Sequence, residues 1–248
     1  MIASPVLILG ARSDIGRALA RAYVARGASV ILAARSNDQQ PLAAECADLQ
    51  LRAGAGVSVS AVEFDVTDAA PDAFFSALPQ KPGTVIMLAG LLGEQHRSIA
   101  EDCLAARIFE VNFSGPARYL LAAARCMEGR EHACIIGISS VAGDRGRATN
   151  YIYGSAKAGL SAFLSGLRND HARRGLHVLT VKPGFVATQM TEGMDLPRVL
   201  TAKPEDVAKA ILKAHAQRRD VIYVKGRWRL VMAVIRAIPE GIFKKLSI

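Results

Sequence analysis

The chain has 248 residues, 51% hydrophobic and 21% charged, the balance of a globular protein that buries one substantial core, and one large domain is expected. Cys46, Cys103, Cys126 and Cys134 have neither paired metal-ligand spacing nor a C-x-x-C, so buried reduced thiols are expected, and no structural disulfide or metal site is. The formal net charge is +9, but residues 225–248 hold six basic residues (Lys225, Arg227, Arg229, Arg236, Lys244, Lys245) against Glu240 alone. The rest is spread thinly, without stacked aromatics or a basic recognition helix, which argues against a nucleic-acid partner.

The N-terminus, "MIASPVLILGARSD", lacks a basic stretch and its apolar run stops at Gly10. Neither a signal peptide nor a membrane span is expected, and the cytoplasm is the expected location. Short apolar runs then alternate with helix-period stretches. Strand candidates are 6–9, 29–34, 57–64, 84–88, 133–138, 177–181 and 221–224; helical patterns occupy 14–27, 39–54, 101–112, 117–129 and 155–175. Near-continuous apolar strands separated by helices predict an α/β fold, a doubly wound parallel seven-stranded sheet with helices on both faces and ligands beyond the strand C-termini. Residues 1–225 read as one nucleotide-binding domain and 226–248 as a basic amphipathic C-terminal tail.

After the first strand, "GARSDIG" sets Gly10 and Gly16 around a turn whose helix N-terminus suits a pyrophosphate. Arg12, Ser13, Asp14 and Ile15 lie inside it, and Asp14 departs from G-x-G-x-x-G, with helix capping as its alternative role. An NAD site places a carboxylate at the end of the second strand, where this chain has Ala34-Arg35. A guanidinium there favours a 2′-phosphate, hence NADP (NADPH) over NAD, with Arg12 as a second contact; for both arginines the alternative is a solvated surface position.

Tyr153 and Lys157 are spaced i, i+4 on a strongly helical stretch, whereas Tyr151 has no cation within a turn. A phenol titrates near 10, and each unit of lowering takes about 1.4 kcal/mol that a nearby ammonium can supply. Alone, the pair is as easily a solvated helix face. Ser140, at the end of the fifth strand candidate, adds a hydroxyl where a parallel sheet presents its ligands.

Gly10 and Gly16, Asn112 in "VNF", Ser140, Tyr153 with Lys157, and Pro183-Gly184 in "VKPGFVAT" follow the order of the short-chain dehydrogenase/reductase family, which the chain resembles over about residues 5–190. The resemblance implies a Rossmann-like fold and a hydride-transferring enzyme. Tyr153 would be the proton donor, Ser140 would orient the carbonyl oxygen, Lys157 would lower the tyrosine pKa and hold the nicotinamide ribose, and Asn112 would anchor a proton-relaying water. Pro183, Gly184, Val186 and Thr188 would cradle the nicotinamide, and Asp65 and Val66 would meet the adenine. Of the family's Asn-Asn-Ala-Gly only Ala89 and Gly90 are kept, and Leu9 replaces its first-turn threonine. By the family's spacing Tyr153 is the acid, and Tyr151 is expected to pack near the helix start.

Within the family, "GLLGEQ" (90–95), "YGSAKAGL" and the C-terminal stretch are similar to reductases of a 2-keto sugar carried on a polyprenyl phosphate. That implies a small-molecule or lipid-linked ketone and a partner oxidase; a relative acting on another hydrophobic ketone fits equally. A non-catalytic nucleotide-binding or membrane-surface adaptor is the alternative class, against which stand the intact serine, tyrosine and lysine.

The segment between Phe185 and Pro204 carries Met190, Met194, Leu196, Val199 and Leu200, and reads as a lid over an apolar substrate or as a helix packed on the core. The small residues of "SAKAGLSAFLSGL" predict a helix interface and a homodimer or homotetramer. The tail, "RWRLVMAVIRAIPEGIFKKLSI", predicts a helix to about Ile238 with Trp228, Val231, Met232, Ile235 and Ile238 on one face. That stripe suits either the surface of an anionic membrane or packing on a partner subunit or the chain's own lid.

Overall fold

The structure is a computed structural model that describes residues 2–36 and 42–246. The strands β1 (Val6–Leu9), β2 (Val30–Ala34), β3 (Val59–Glu63), β4 (Thr84–Met87), β5 (Cys134–Ile138), β6 (His177–Pro183) and β7 (Val221–Val224) form one parallel sheet in the order 3-2-1-4-5-6-7. β1, β2, β4 and β5 are buried along their whole length, so both faces demand apolar side chains; the edge strands β3 and β7 tolerate Ser60, Glu63 and Tyr223.

The helices are α1 (Asp14–Val24), α2 (Leu42–Arg52), α3 (Pro71–Ser76), α4 (Gln95–Ala100), α5 (Asp102–Phe109), α6 (Gly115–Cys126), α7 (Tyr151–His171), α8 (Pro204–Ala216), α9 (Arg227–Ala237) and α10 (Glu240–Phe243). The helical pattern expected from Gln39 starts, within the described residues, at Leu42; residues 39–41 lie outside them. One sheet face packs Leu19 and Tyr23 of α1 with Val207 and Ile211 of α8. The other packs Tyr119 and Leu120 of α6 with Leu160 and Leu164 of α7, and Tyr119 meets Phe64 edge-on at 4.9 Å between ring centroids. β1 pairs with both β2 and β4, which continue to opposite sides, and the crevice at this switch point opens at the strand C-termini.

Two expectations are corrected. The helix expected over 101–112 does not end there: α5 runs through a π-helical turn, Glu110–Ser114, directly into α6. Of the cysteines only Cys134 is buried, while Cys103 is exposed. Cys134 sits 3.4 Å from His177 Nδ1, and burial pushes its thiol far up, so it is an inert core thiol.

The tail's helix α9 forms as expected. Trp228 and Met232 are buried, and with Val231 and Ile235 they pack on Val141, Phe185, Leu200 and Tyr223. Of the two readings of the stripe, packing on the chain's own loops is the one formed, and Arg145 binds the C-terminal end of α9. Its guanidinium donates to the carbonyls of Ile235 and Ile238 at 2.6 Å each, pairs with Glu240, and lies 3.7 Å from the centre of the Phe243 ring.

Candidate active site

At the C-terminal ends of β1 and β4 the backbones approach closely. Gly10 has φ +97°, and a Cβ there would lie 3.1 Å from the Ala89 nitrogen; a Cβ on Gly16 would lie 2.6 Å from the Ala11 oxygen. Ser13, not Asp14, caps α1, its hydroxyl accepting from Gly16 N at 3.1 Å. Asp14 is the first helical residue and accepts a hydrogen bond from Gln189 N at 2.9 Å, tying the glycine turn to the segment after β6. That cross-link replaces the capping role its sequence position suggested.

Two adjoining cavities follow the crevice. One, of about 250 Å³, is lined by Gly10, Arg12, Ser13, Arg35, Asp65, Val66, Ala89 and Gly90. Arg12 Nε and Nη2 are buried there without a hydrogen-bond partner, an arrangement suited to an incoming anion. Arg35 is exposed and close enough to Asp65 to stabilise its charge. Burial raises the Asp65 carboxyl, but the Thr67 hydrogen bonds and the charges of Arg35 and Arg107 outweigh it and hold the group below its ordinary range.

The other cavity, of about 490 Å³, brings Arg12, Ser13, Asp14, Ile15, Arg35 and Gly90 together with Ser140, Tyr153, Lys157, Pro183, Gly184, Val186 and Thr188. Tyr153 and Lys157 share a face because α7 begins at Tyr151 and is helical through both. Ser140 stands at the start of the loop after β5, where its hydroxyl accepts from Ala142 N at 3.1 Å and lies close enough to Tyr153 to favour the phenolate. Tyr151 does not pack at the helix start as expected; its ring is 44% exposed and outside the cavity.

Burial pushes Tyr153 up to about 12, only partly offset by the Ser140 hydrogen bond. Burial also pushes Lys157 down to about 8. The Lys157 ammonium donates to the Ile138 carbonyl at 3.1 Å and sits 5.7 Å from the Tyr153 ring centre. Burial, with no lowering contribution from the lysine, thus sets the direction of the Tyr153 shift.

Asn112, within the π-helical turn, is buried and lines neither cavity. Its amide donates to the carbonyls of Leu91 (2.7 Å) and Ile108 (2.8 Å) and accepts from Leu91 N (3.2 Å), pinning the loop after β4 behind Gly90. Gly16 likewise stands behind the cavity wall as a packing glycine.

Sequence reasoning missed much of the far wall, Leu92, Arg147, Asn150, Phe185 and Trp228, while Met190 and Met194 of the expected lid segment do line it. That segment has a 3₁₀ turn at Gln189–Thr191 and closes at its base through a bridge between Val186 and Ala202, so the lid arrangement holds rather than a packed helix. Trp228 donates to the Leu200 carbonyl at 3.0 Å and lies close against Gly184, where a Cβ would sit 1.9 Å from the indole nitrogen.

The description "short chain dehydrogenase" matches residues 4–197. The chain belongs to the short-chain dehydrogenase family. An uncharacterized oxidoreductase of Mycobacterium tuberculosis is 37% identical, the match covering 98% of this chain and 97% of the relative. The 3-oxoacyl acyl-carrier-protein reductase of Escherichia coli is 34% identical over 76% of this short-chain dehydrogenase and 75% of its own length. A short chain dehydrogenase from Burkholderia cenocepacia, crystallised in complex with NADP, superimposes with a TM-score of 0.81 at 20% identity, covering 100% of this chain and 99% of that one.

Proposed function

We propose that this oxidoreductase is an NADPH-dependent reductase that converts a ketone on a hydrophobic or lipid-linked carrier, such as a polyprenyl-phosphoryl 2-keto sugar, to a secondary alcohol. One observation carries the reading: Tyr153, Ser140 and Lys157 share a single cavity with the unpartnered Arg12 guanidinium at one end and Met190, Met194 and Trp228 at the other. The NADP of the Burkholderia structure and the 3-oxoacyl substrate in the Escherichia name point the same way.

Arg12 and Arg35 would hold the 2′-phosphate that NAD lacks. The α1 N-terminus from Ser13 to Ile15, with Gly10 allowing close approach, would meet the pyrophosphate. Asp65, Val66, Ala89 and Gly90 would bound the adenosine, and Pro183, Gly184, Val186 and Thr188 the nicotinamide. When bound, NADPH supplies the hydride. Tyr153, held protonated by burial, gives its Oη proton to the ketone oxygen, which the Ser140 hydroxyl orients. Lys157 presents its ammonium to the ribose beside Gly90, and Asn112 acts by fixing that loop.

A lipid-borne substrate also fits the outer face of α9. Leu230 and Val234, one turn apart, are 72% and 66% exposed, beside exposed Arg227, Arg229 and Arg236 and near Lys244 and Lys245. No described helix is long and apolar enough to cross a membrane, so this face would rest on an anionic surface from one side. NADPH oxidation monitored against water-soluble, fatty-acyl and polyprenyl-phosphoryl ketones tests the reaction, with the last two expected to be turned over best. Sedimentation with phosphatidylglycerol vesicles at low and high salt tests the surface; a protein that stays in the supernatant at low salt refutes it.

A further inference from the structure

The loop from β5 to α7 fixes its charged residues with one exception. Asp144 is paired with Lys182 and accepts from the Tyr223 hydroxyl at 2.7 Å, and Arg145 is spent on the end of α9. Arg147, two residues on, has a buried Nε with no hydrogen-bond partner, and no ion pair forms to it among the described residues. Asn150 Oδ1 is buried and unpartnered as well. Both side chains line the large cavity with Ser140 and Tyr153.

Burying a guanidinium N–H without an acceptor is unfavourable, and burial alone holds the Arg147 pKa below its ordinary value. Such a group is retained where a ligand completes it. Arg12 and Arg35, which would meet the cofactor's phosphates, line both cavities, whereas Arg147 lines only the one that also holds Ser140 and Tyr153. There it stands alongside Phe185, Met190, Met194 and Trp228. The one carboxylate among the described lining residues, Asp14, is bound to Gln189 N.

We infer that Arg147 is the receptor for an oxyanion, phosphoryl or carboxylate, carried by the ketone substrate itself. The inference deepens the proposed reduction and rests on its placing substrate at this wall. A planar guanidinium takes either oxyanion through two parallel hydrogen bonds, and the apolar lid takes the adjoining chain. The substrate class is therefore an amphiphile: a ketone, an anionic group and a hydrocarbon tail.

The only tryptophan, Trp228, lines the same cavity, so intrinsic fluorescence reports its occupancy without turnover. Protein saturated with NADP⁺, which fills the Arg12 end, is titrated with farnesyl phosphate, farnesoate and farnesol. At least one anion should bind tenfold or more tightly than the alcohol, the tighter of the two naming the oxyanion. Arg147→Ala should bring that anion's constant to the farnesol value, and Arg147→Lys should restore part of the difference. Because Arg147 has no acceptor in the protein, Arg147→Met should melt at or above the wild-type temperature. The inference is overturned if neither anion is preferred, if the preference survives Arg147→Ala, or if Arg147→Met melts lower. Failure of every ketone to oxidise NADPH would instead strike the proposed reaction and leave this binding result standing.

Discussion

The two ends of the cleft are built by different means. Around the glycine turn the wall is largely backbone: Gly10 at φ +97°, the capped start of α1 and the close pass of Ala89. Toward the lid it is side chains from distant segments, with Trp228 of α9 against Gly184, Leu92 from the loop after β4, and Arg147 from the loop after β5. Backbone geometry serves a ligand part common to many enzymes, while side chains can change without disturbing the sheet. On the proposed reaction, the first end would set what donates the hydride and the second what accepts it.

Each end can be tested against the chemistry between them. The largest effect belongs to the shared centre: Tyr153→Phe should lower ketone reduction on the order of a thousandfold, about 4 kcal/mol in barrier, with the NADPH dissociation constant nearly unchanged. Tyr151→Phe, outside the cavity, should reduce at close to the wild-type rate, and equal losses in the two variants would reverse the assignment.

At the lid end, Trp228→Ala removes a buried indole from a cluster with Phe185 and Leu200 and should lower unfolding stability by roughly 3 to 4 kcal/mol in a urea titration. A loss under 1 kcal/mol would make the tail an accessory rather than a wall.

Lys157 links both ends and is tested by pH. Its folded pKa is depressed to about 8, so the penalty for burying its charge is fully present below pH 8 and is relieved as pH rises toward its unfolded value. Lys157→Met should therefore gain on wild type at neutral pH, the advantage shrinking by up to about 3 kcal/mol between pH 8 and the ordinary lysine range. A pH-independent difference would refute the buried charge.

The smallest effect is expected at the glycine-turn end, where Arg12→Ala and Arg35→Ala should each weaken NADPH about tenfold while leaving NADH little changed, as read by isothermal titration. Equal losses for both cofactors would return these arginines to the surface.

The sheet and the order Ser140, Tyr153, Lys157 were legible in the sequence because each depends on short-range spacing: an apolar run for each strand, one helical turn for the tyrosine and lysine. Arg147 was not, since nothing local separates it from Arg145, and only the fold brings the carbonyls of Ile235 and Ile238 to one of them. Trp228 and Met232 were read as an apolar helix face, correctly, but periodicity does not say what will cover such a face. Asp14 looked like a cap because its tether to Gln189, 175 residues away, leaves no trace at that distance.

The Val186–Ala202 bridge makes the lid a ring with both feet held beside the Pro183–Gly184 turn. Residues added to or removed from such a ring change the width of its mouth at a small, logarithmic entropic cost and leave the reacting centre where it is. Lid length is thus a natural handle for re-engineering the enzyme, by which one scaffold could be retuned to bulkier or slimmer carriers while its proton donor stays fixed.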